Sequence, residues 1–155
     1  MGESPKMKEI IKLLDENLKY ISHEIAGKTI IIRVKSRRRK TRCPYCGEEA
    51  VRIHSQNKRR FQDLPIQGNK VVIELERRKF FCGNSECEYK TFAEAFDFYE
   101  PMSRKTKRLY EEILQVSLTQ SSVSASKYLR RSVADVGKST ICDMLKKRSV
   151  RNEAE

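Results

Sequence analysis

The stretch TRCPYCGEE (residues 41–49) sets Cys43 and Cys46 two residues apart and follows them with Gly47. Thirty-five residues further on (47–81 intervening), CGNSEC (82–87) supplies Cys82 and Cys87 with its own glycine, Gly83. Two such knuckles are the layout of a zinc ribbon, in which each hairpin contributes two thiolates. Four sulfurs satisfy one Zn²⁺ in a closed tetrahedron, and a closed site leaves no position for catalysis. The glycines allow the backbone to turn tightly around the metal. The competing readings are iron in the same cage and four unrelated buried or redox cysteines. Paired spacing and the turn glycines argue against the second. The apolar content between the knuckles is modest, so this region is expected to fold poorly without its metal. His54 lies in a strand-like stretch and reads as a non-ligand. Cys142, among Ile141, Met144 and Leu145, reads as a buried helical thiol.

Charge is the second feature of the 155-residue chain. It carries 33 Lys and Arg against 21 Asp and Glu, a formal net charge of +12. Such a balance favours polyanionic partners, nucleic acid before anionic membrane. No apolar run reaches the roughly 18 residues that a membrane span needs. The first residues lack a signal-peptide layout, so the chain reads as cytoplasmic, bacterial-type and nucleoid-associated, where cysteines serve as ligands rather than disulfides. Seven of the ten residues from Arg33 to Arg42 are Lys or Arg. Arg37, Arg38, Arg39, Lys40 and Arg42 form the first cluster, Lys58, Arg59 and Arg60 a second, and Arg77 and Arg78 a third, continued by Lys79. Any one of them could be a solvated face. Three on one small metal-braced unit point to phosphate contacts, which give strong, salt-sensitive binding without reading sequence. Phe80, Phe81, Phe92 and Phe96 read as the small core beside the knuckles rather than as base-stacking rings.

The periodicities give an α+β chain. Ile10, Ile11, Leu13, Leu14 and Leu18 suit a short amphipathic helix within residues 6–20, and Gly27 ends that pattern before the strand-like KTIIIRVK (28–35). Between the knuckles several short antiparallel strands are expected. Val71, Ile73 and Leu75 face one side of the best of these, Val72, Glu74 and Glu76 the other, after a turn marked by Pro65 and Gly68. Residues 97–108 read as a linker entering a helix, with Pro101 as a boundary and Ser103 as its cap. Three helices follow to residue 147. Leu109, Ile113, Val116 and Leu118 mark the first, Ser121 caps the second, and Ile141, Met144 and Leu145 face inward on the third. Residues 148–155 read as a frayed tail. The domain reading is an N-terminal helix and basic strand (1–40), a four-cysteine zinc ribbon (41–98) and a helix-turn-helix unit (99–155). In the last, Lys138, Ser139 and Thr140 would be presented by the recognition helix, where Lys can meet phosphate or a guanine edge. An ordinary three-helix bundle is the alternative, since the SVADVG turn is longer than the tightest form of the motif.

The combination RVKSRRRKTRCPYCG, HSQNKRRFQDLPIQGNKVVIELERRKFFC, CGNSECEYKTFAEAF and RKTKRLYEEIL resembles the N-terminal part of bacterial insertion-sequence transposases of the ISL-three family, over roughly residues 18–147. The resemblance implies a short helix and strand, a zinc ribbon and a helix-turn-helix, in that order, with Cys43, Cys46, Cys82 and Cys87 as the ligands of one structural zinc. Departures fall in the helices: Val133 stands where the family tends to have the turn glycine, and Gly137 where it tends to have a capping serine. Transposases of this kind cut DNA with an acidic triad on two metal ions. Asp63, Glu74, Asp97 and Asp143 do not cluster and mostly read as solvated strand or turn positions, so no catalytic residue is expected and the chain reads as a DNA-binding module or remnant rather than an enzyme. Its expected partner is double-stranded DNA at transposon terminal inverted repeats, with a homodimer or an intact transposase as protein partner, no membrane, and repression of transposition as one consequence. A stand-alone transcriptional regulator, or a zinc-ribbon module that binds protein or RNA, uses the same parts.

Overall fold

The computed structural model describes residues 5–154, and side chains for 6–153. Its α+β architecture starts with α1 (Pro5–Leu14), β1 (Leu18–Ala26) and β2 (Thr29–Ser36). The small strands β3 (Thr41–Arg42) and β4 (Glu49–Ala50) pair antiparallel, with Thr41 opposite Ala50. Then come β5 (Ile53–Ile66), β6 (Asn69–Phe81) and β7 (Thr91–Ala93), followed by α2 (Lys107–Leu118), α3 (Ser122–Ser132) and α4 (Lys138–Ala154). The larger sheet has the order β1-β2-β6-β5, and β7 joins it antiparallel on β6, with Phe80 opposite Phe92.

Several local expectations change in this frame. The helix near the N-terminus stops at Leu14; Leu18 is instead the buried start of β1, while Ile10 and Leu13 are exposed. The strands between the knuckles are not short, since β5 runs 14 residues and β6 13. Their hairpin turns on Gln67 and Gly68, whose φ values of 50° and 77° are the paired positive values of a type I′ turn. Pro65, expected at the turn, lies inside β5, which stands at the end of the strand order, where a proline is tolerated.

The chain divides into two compact units. The first comprises residues up to 24, 31–61 and 73–98. Alternation works here as expected on one face: Ile73 and Leu75 are buried with Leu18, Ile32, Val34 and Phe61. The other face is where the sequence misleads. Glu74 is only 6% exposed, so the carboxylate expected in solvent is an interior group. Phe80 and Phe92 are buried with Cys43 and Ala50 in a small cluster against the knuckles, and Phe96 is buried as well.

The second unit holds the two hairpin tips (25–30 and 62–72) and residues from 99 onward. Leu109, Ile113 and Leu114 of α2 close on Ala125 and Leu129 of α3 and Ile141 and Met144 of α4, with Leu145 at the margin. Burying each Leu or Ile there contributes about 1.5–3 kcal/mol. Leu118, which marks the same helix in the sequence, is half exposed at its end. Thr106, not Ser103, caps α2, accepting from the Leu109 N–H at 3.3 Å; Ser103 instead accepts from the Lys105 N–H. Ser121 caps α3, as its position predicts. Asp63, expected in solvent, is 3% exposed and accepts from the Thr106 hydroxyl at 2.8 Å and from Arg108 Nε at 2.8 Å, with Arg108 Nη2 on its other oxygen. This contact holds the Arg108 guanidinium above its ordinary value. The expected frayed tail is helical, since α4 continues to Ala154.

Candidate metal centre and cationic surface

The first knuckle is closed by its backbone. Cys43 N–H donates to Glu48 O and Gly47 N–H to Cys43 O, both at 2.9 Å, and Gly47 sits at φ 80°, where a Cβ would be strained. Gly83 has no such φ and needs no glycine on that ground. In the second knuckle Cys82 N–H donates to Lys90 O, Cys87 N–H to Asn84 O, and Asn84 Oδ1 accepts from the Glu86 N–H. Tyr45 and Tyr89, one from each knuckle, stack at 3.7 Å between centroids and 15° between planes.

These turns bring all four sulfurs within 4.8 Å of one another. Cys43 Sγ lies 4.0 Å from Cys87 Sγ, and Cys46 Sγ 3.5 Å from Cys82 Sγ. A tetrahedron with Zn–S bonds of about 2.3 Å requires S···S separations of about 3.8 Å, so the cage has the size of a Zn(Cys)₄ centre. The separations are far beyond the roughly 2.05 Å of a disulfide. The donor set fits a single structural zinc ion. Protons compete for the same sulfurs. The Glu48 backbone N–H, aided by Asn84 and the neighbouring thiols, draws Cys46 down to about 7. The Asn84 backbone N–H pulls Cys82 down too, but burial and the other three sulfurs prevail and push it up to about 12.

The cage sits at the open end of the β5–β6 hairpin. β4 ends at Ala50 and β5 begins at Ile53, while β6 ends at Phe81, one residue before Cys82. The closing bond there runs from Phe81 N–H to Arg52 O at 3.0 Å. His54 is outside the cysteine cluster; its ring bonds Ser55 Oγ at 2.9 Å and meets Phe81 edge-on. Cys142 lies on α4 beside Ser122 Oγ.

The basic residues divide by what they touch. Arg78 grips Glu94 with two bonds of 3.0 Å, and Arg38 reaches the same carboxylate at 3.4 Å and Ala95 O at 2.6 Å. Ser36 Oγ donates to that carboxylate at 2.6 Å, and Glu94 is 1% exposed. Glu74 gathers Arg60 at 2.8 Å, Arg33 at 3.3 Å and Lys58 at 4.0 Å. Burial alone would push the Glu74 carboxyl up, but the Arg60 hydrogen bond and the three positive charges outweigh it and hold it below the usual range. Lys40 and Arg42 share Glu49. Arg59 lies over the Phe61 ring, and Arg77 Nε donates to Asn57 Oδ1 at 3.4 Å. Arg37 and Arg39 are exposed, with no ion-pair partner among the described residues. Lys138, Ser139 and Thr140 are exposed in the first turn of α4, in the second unit.

Glu94 was missed by sequence reasoning, although it stands within the TFAEAF stretch singled out above. A lone acid between Phe92 and Phe96 is the signal that could have marked it as buried and paired. No helix among the described residues is long and apolar enough to cross a membrane.

Residues 39–87 match the family described as the zinc-finger of transposase IS204/IS1001/IS1096/IS1165. A transposase for insertion sequence element IS1001 from Bordetella parapertussis is 34% identical over 59 residues, which take in 38% of this chain and 14% of that protein. No solved structure matches. Together with a cage of the right size at the matched cysteines, these similarities identify residues 39–87 as a zinc-ribbon region of the kind found in the N-terminal part of ISL-three transposases.

Proposed function

We propose that the protein is a zinc-dependent module that binds double-stranded DNA, with transposon terminal inverted repeats as its target. The observation that carries this reading is the joining of a four-cysteine cage to a cation-rich hairpin whose β5 strand is exposed at every residue from Ile53 to Lys58, next to the cage. A clasped hairpin holds its cations in a fixed register, which phosphate contacts require. Arg37, Arg39, Lys40, Arg42, Lys58, Arg59, Arg60 and Arg77 supply the phosphate contacts in this reading. Arg38 and Arg78, also expected there from sequence, contribute chiefly by anchoring Glu94.

In the second unit α3 and α4 serve as a helix-turn-helix, and Lys138, Ser139 and Thr140 meet the groove. Occupying the element ends without carrying out strand transfer would make the module a repressor of transposition. The test is a joint metal and DNA titration. Zinc is quantified per chain, and duplex binding is followed across a salt series with and without chelator. About one zinc per chain, with salt-steep binding lost on chelation, is the expected result. Bound zinc without duplex affinity refutes the reading and turns attention to a protein partner.

A further inference from the structure

Arg148 lies in the second half of α4 and is not exposed, yet its Nη1 has no hydrogen-bond partner among the described residues. No other buried side-chain nitrogen or oxygen among them is left in that state. Folded proteins rarely strand a desolvated guanidinium donor, and a turn of the half-buried side chain toward the cavity it lines would give it an acceptor from outside the chain.

The surroundings define what that acceptor is. Arg148 lines a cavity of about 240 Å³ with Tyr110, Glu111 and Leu114 of α2 and with Lys147 and Arg151. An adjoining cleft of about 510 Å³ shares Tyr110, Glu111, Lys147 and Arg151 and brings in Lys105 and Lys107. Lys107 is already paired, at 3.7 Å, with Glu100. Three cations on adjacent turns of one helix therefore face a single carboxylate, Glu111, which is itself exposed. A guanidinium fork flanked by two further cations suits a tetrahedral oxyanion better than a single carboxylate.

We infer that Arg148, with Lys147 and Arg151, forms a binding site for a phosphate oxyanion, free in solution or carried on a nucleic-acid backbone. The first helical turn of α4, proposed above to meet the groove, takes no part in it, and the site does not depend on that proposal.

The test compares thermal unfolding of the zinc-loaded full chain in inorganic phosphate and in chloride, at equal ionic strength and pH. The wild type is expected to melt on the order of a few degrees higher in phosphate. Arg148→Met loses that increment and melts no lower than wild type in chloride, because it removes a donor that had no partner. Lys146→Gln, on the same helix but outside the cavity, keeps the increment. A salt series on duplex DNA separates the two sources. A log–log slope smaller by about 1 in Arg148→Met assigns the site to a backbone phosphate. An unchanged slope, with the phosphate increment still abolished, assigns it to free phosphate. The inference is overturned if phosphate stabilises wild type no more than chloride does, or if Arg148→Met or Lys146→Gln responds as wild type and as Arg148→Met, respectively. A large loss of stability in chloride on Arg148→Met overturns it as well, since that would mean an internal role for the guanidinium.

Discussion

Replacing Glu94 by alanine should cost more stability than any other single exposed-or-buried carboxylate in the first unit. The carboxylate is 1% exposed and takes two 3.0 Å bonds from Arg78, one of 2.6 Å from Ser36 and one of 3.4 Å from Arg38. Its removal strands the Arg78 side chain, which is 16% exposed and cannot easily turn to water. Arg38, at 24%, retains its bond to Ala95 O and can relax. Truncating one partner of a buried ion pair costs about 3–5 kcal/mol. With a urea m value of about 2 kcal/mol/M, the unfolding midpoint of the zinc-loaded protein should fall by about 1.5–2.5 M. The charge-free pair Glu94→Leu with Arg78→Met should recover much of this, because well-packed apolar replacements for a buried pair are often near neutral. It will not recover all, since Arg78 Nη2 also donates to Arg38 O at 2.8 Å and that carbonyl loses its partner. Urea titrations followed by circular dichroism measure both. A cost below about 1 kcal/mol for Glu94→Ala, or a double variant as unstable as the single, would refute the account of a desolvated and mutually dependent pair.

Cys82→Ser should abolish stoichiometric zinc while Cys142→Ser leaves it unchanged; atomic absorption on dialysed protein reads both. Chelation should expose the hairpin from its open end, so amide exchange should accelerate first at Phe81, bonded to Arg52 O, and later near Phe61. Asp63→Asn should cost about 1–3 kcal/mol, because the Thr106 cap and Arg108 both lean on the carboxylate; Arg108, 46% exposed, can relax, which keeps the figure below that for Glu94. Glu74 has a folded pKa below its unfolded value, so its contribution is complete above the ordinary carboxyl value of 4.5 and is lost as the pH falls through the depressed one. The stability difference between wild type and Glu74→Gln should therefore be constant from pH 7 to about 5 and shrink below about 4.5, and a difference that stays constant to pH 3 would contradict the assignment.

The parts legible in the sequence are those that act over short distances along the chain. Cys43 and Cys46, like Cys82 and Cys87, fix each half of the cage within a few residues, and turn chemistry does the rest. Ser121 caps α3 through the N–H only three residues on, and Leu109, Ile113, Ile141 and Met144 keep helical spacing into one core. What escaped is set by distant strands. The stretch around His54 reads as strand, but the run IHSQNKRR offers no apolar alternation and all of residues 53–58 are exposed, so its continuity as one 14-residue strand is not legible; β6 supplies backbone partners along its length. Glu74 reads as solvated because its neighbours in sequence are ordinary. Its burial depends on Arg60, fourteen positions away, and Arg33, forty-one away. The helical tail was not legible because Arg148 looks like a solvated charge; in the folded chain it is half-buried and lines a cavity of the helical unit with the exposed Arg151.

The +12 charge is therefore not one uniform coat. Depth of the carboxylate sorts it. Glu94 and Glu74 lie under the surface and hold Arg78, Arg38 and Arg33 by charge-assisted bonds, so these cations are first of all internal ties of the sheet, whereas Arg60, also on Glu74, keeps most of its side chain exposed. Glu49, by contrast, is exposed and shares itself between Lys40 at 3.2 Å and Arg42 at 3.7 Å, an arrangement that a phosphate can displace at little cost. Arg37 and Arg39 need no displacement among the described residues. Removing a cation of the first kind should lower stability before it lowers affinity for a polyanion. Removing one of the second kind should do the reverse. Within the basic run Arg33 and Arg38 are thus of the first kind, tied to buried acids, and Arg37, Arg39, Lys40 and Arg42 of the second, with an exposed acid or no ion-pair partner among the described residues.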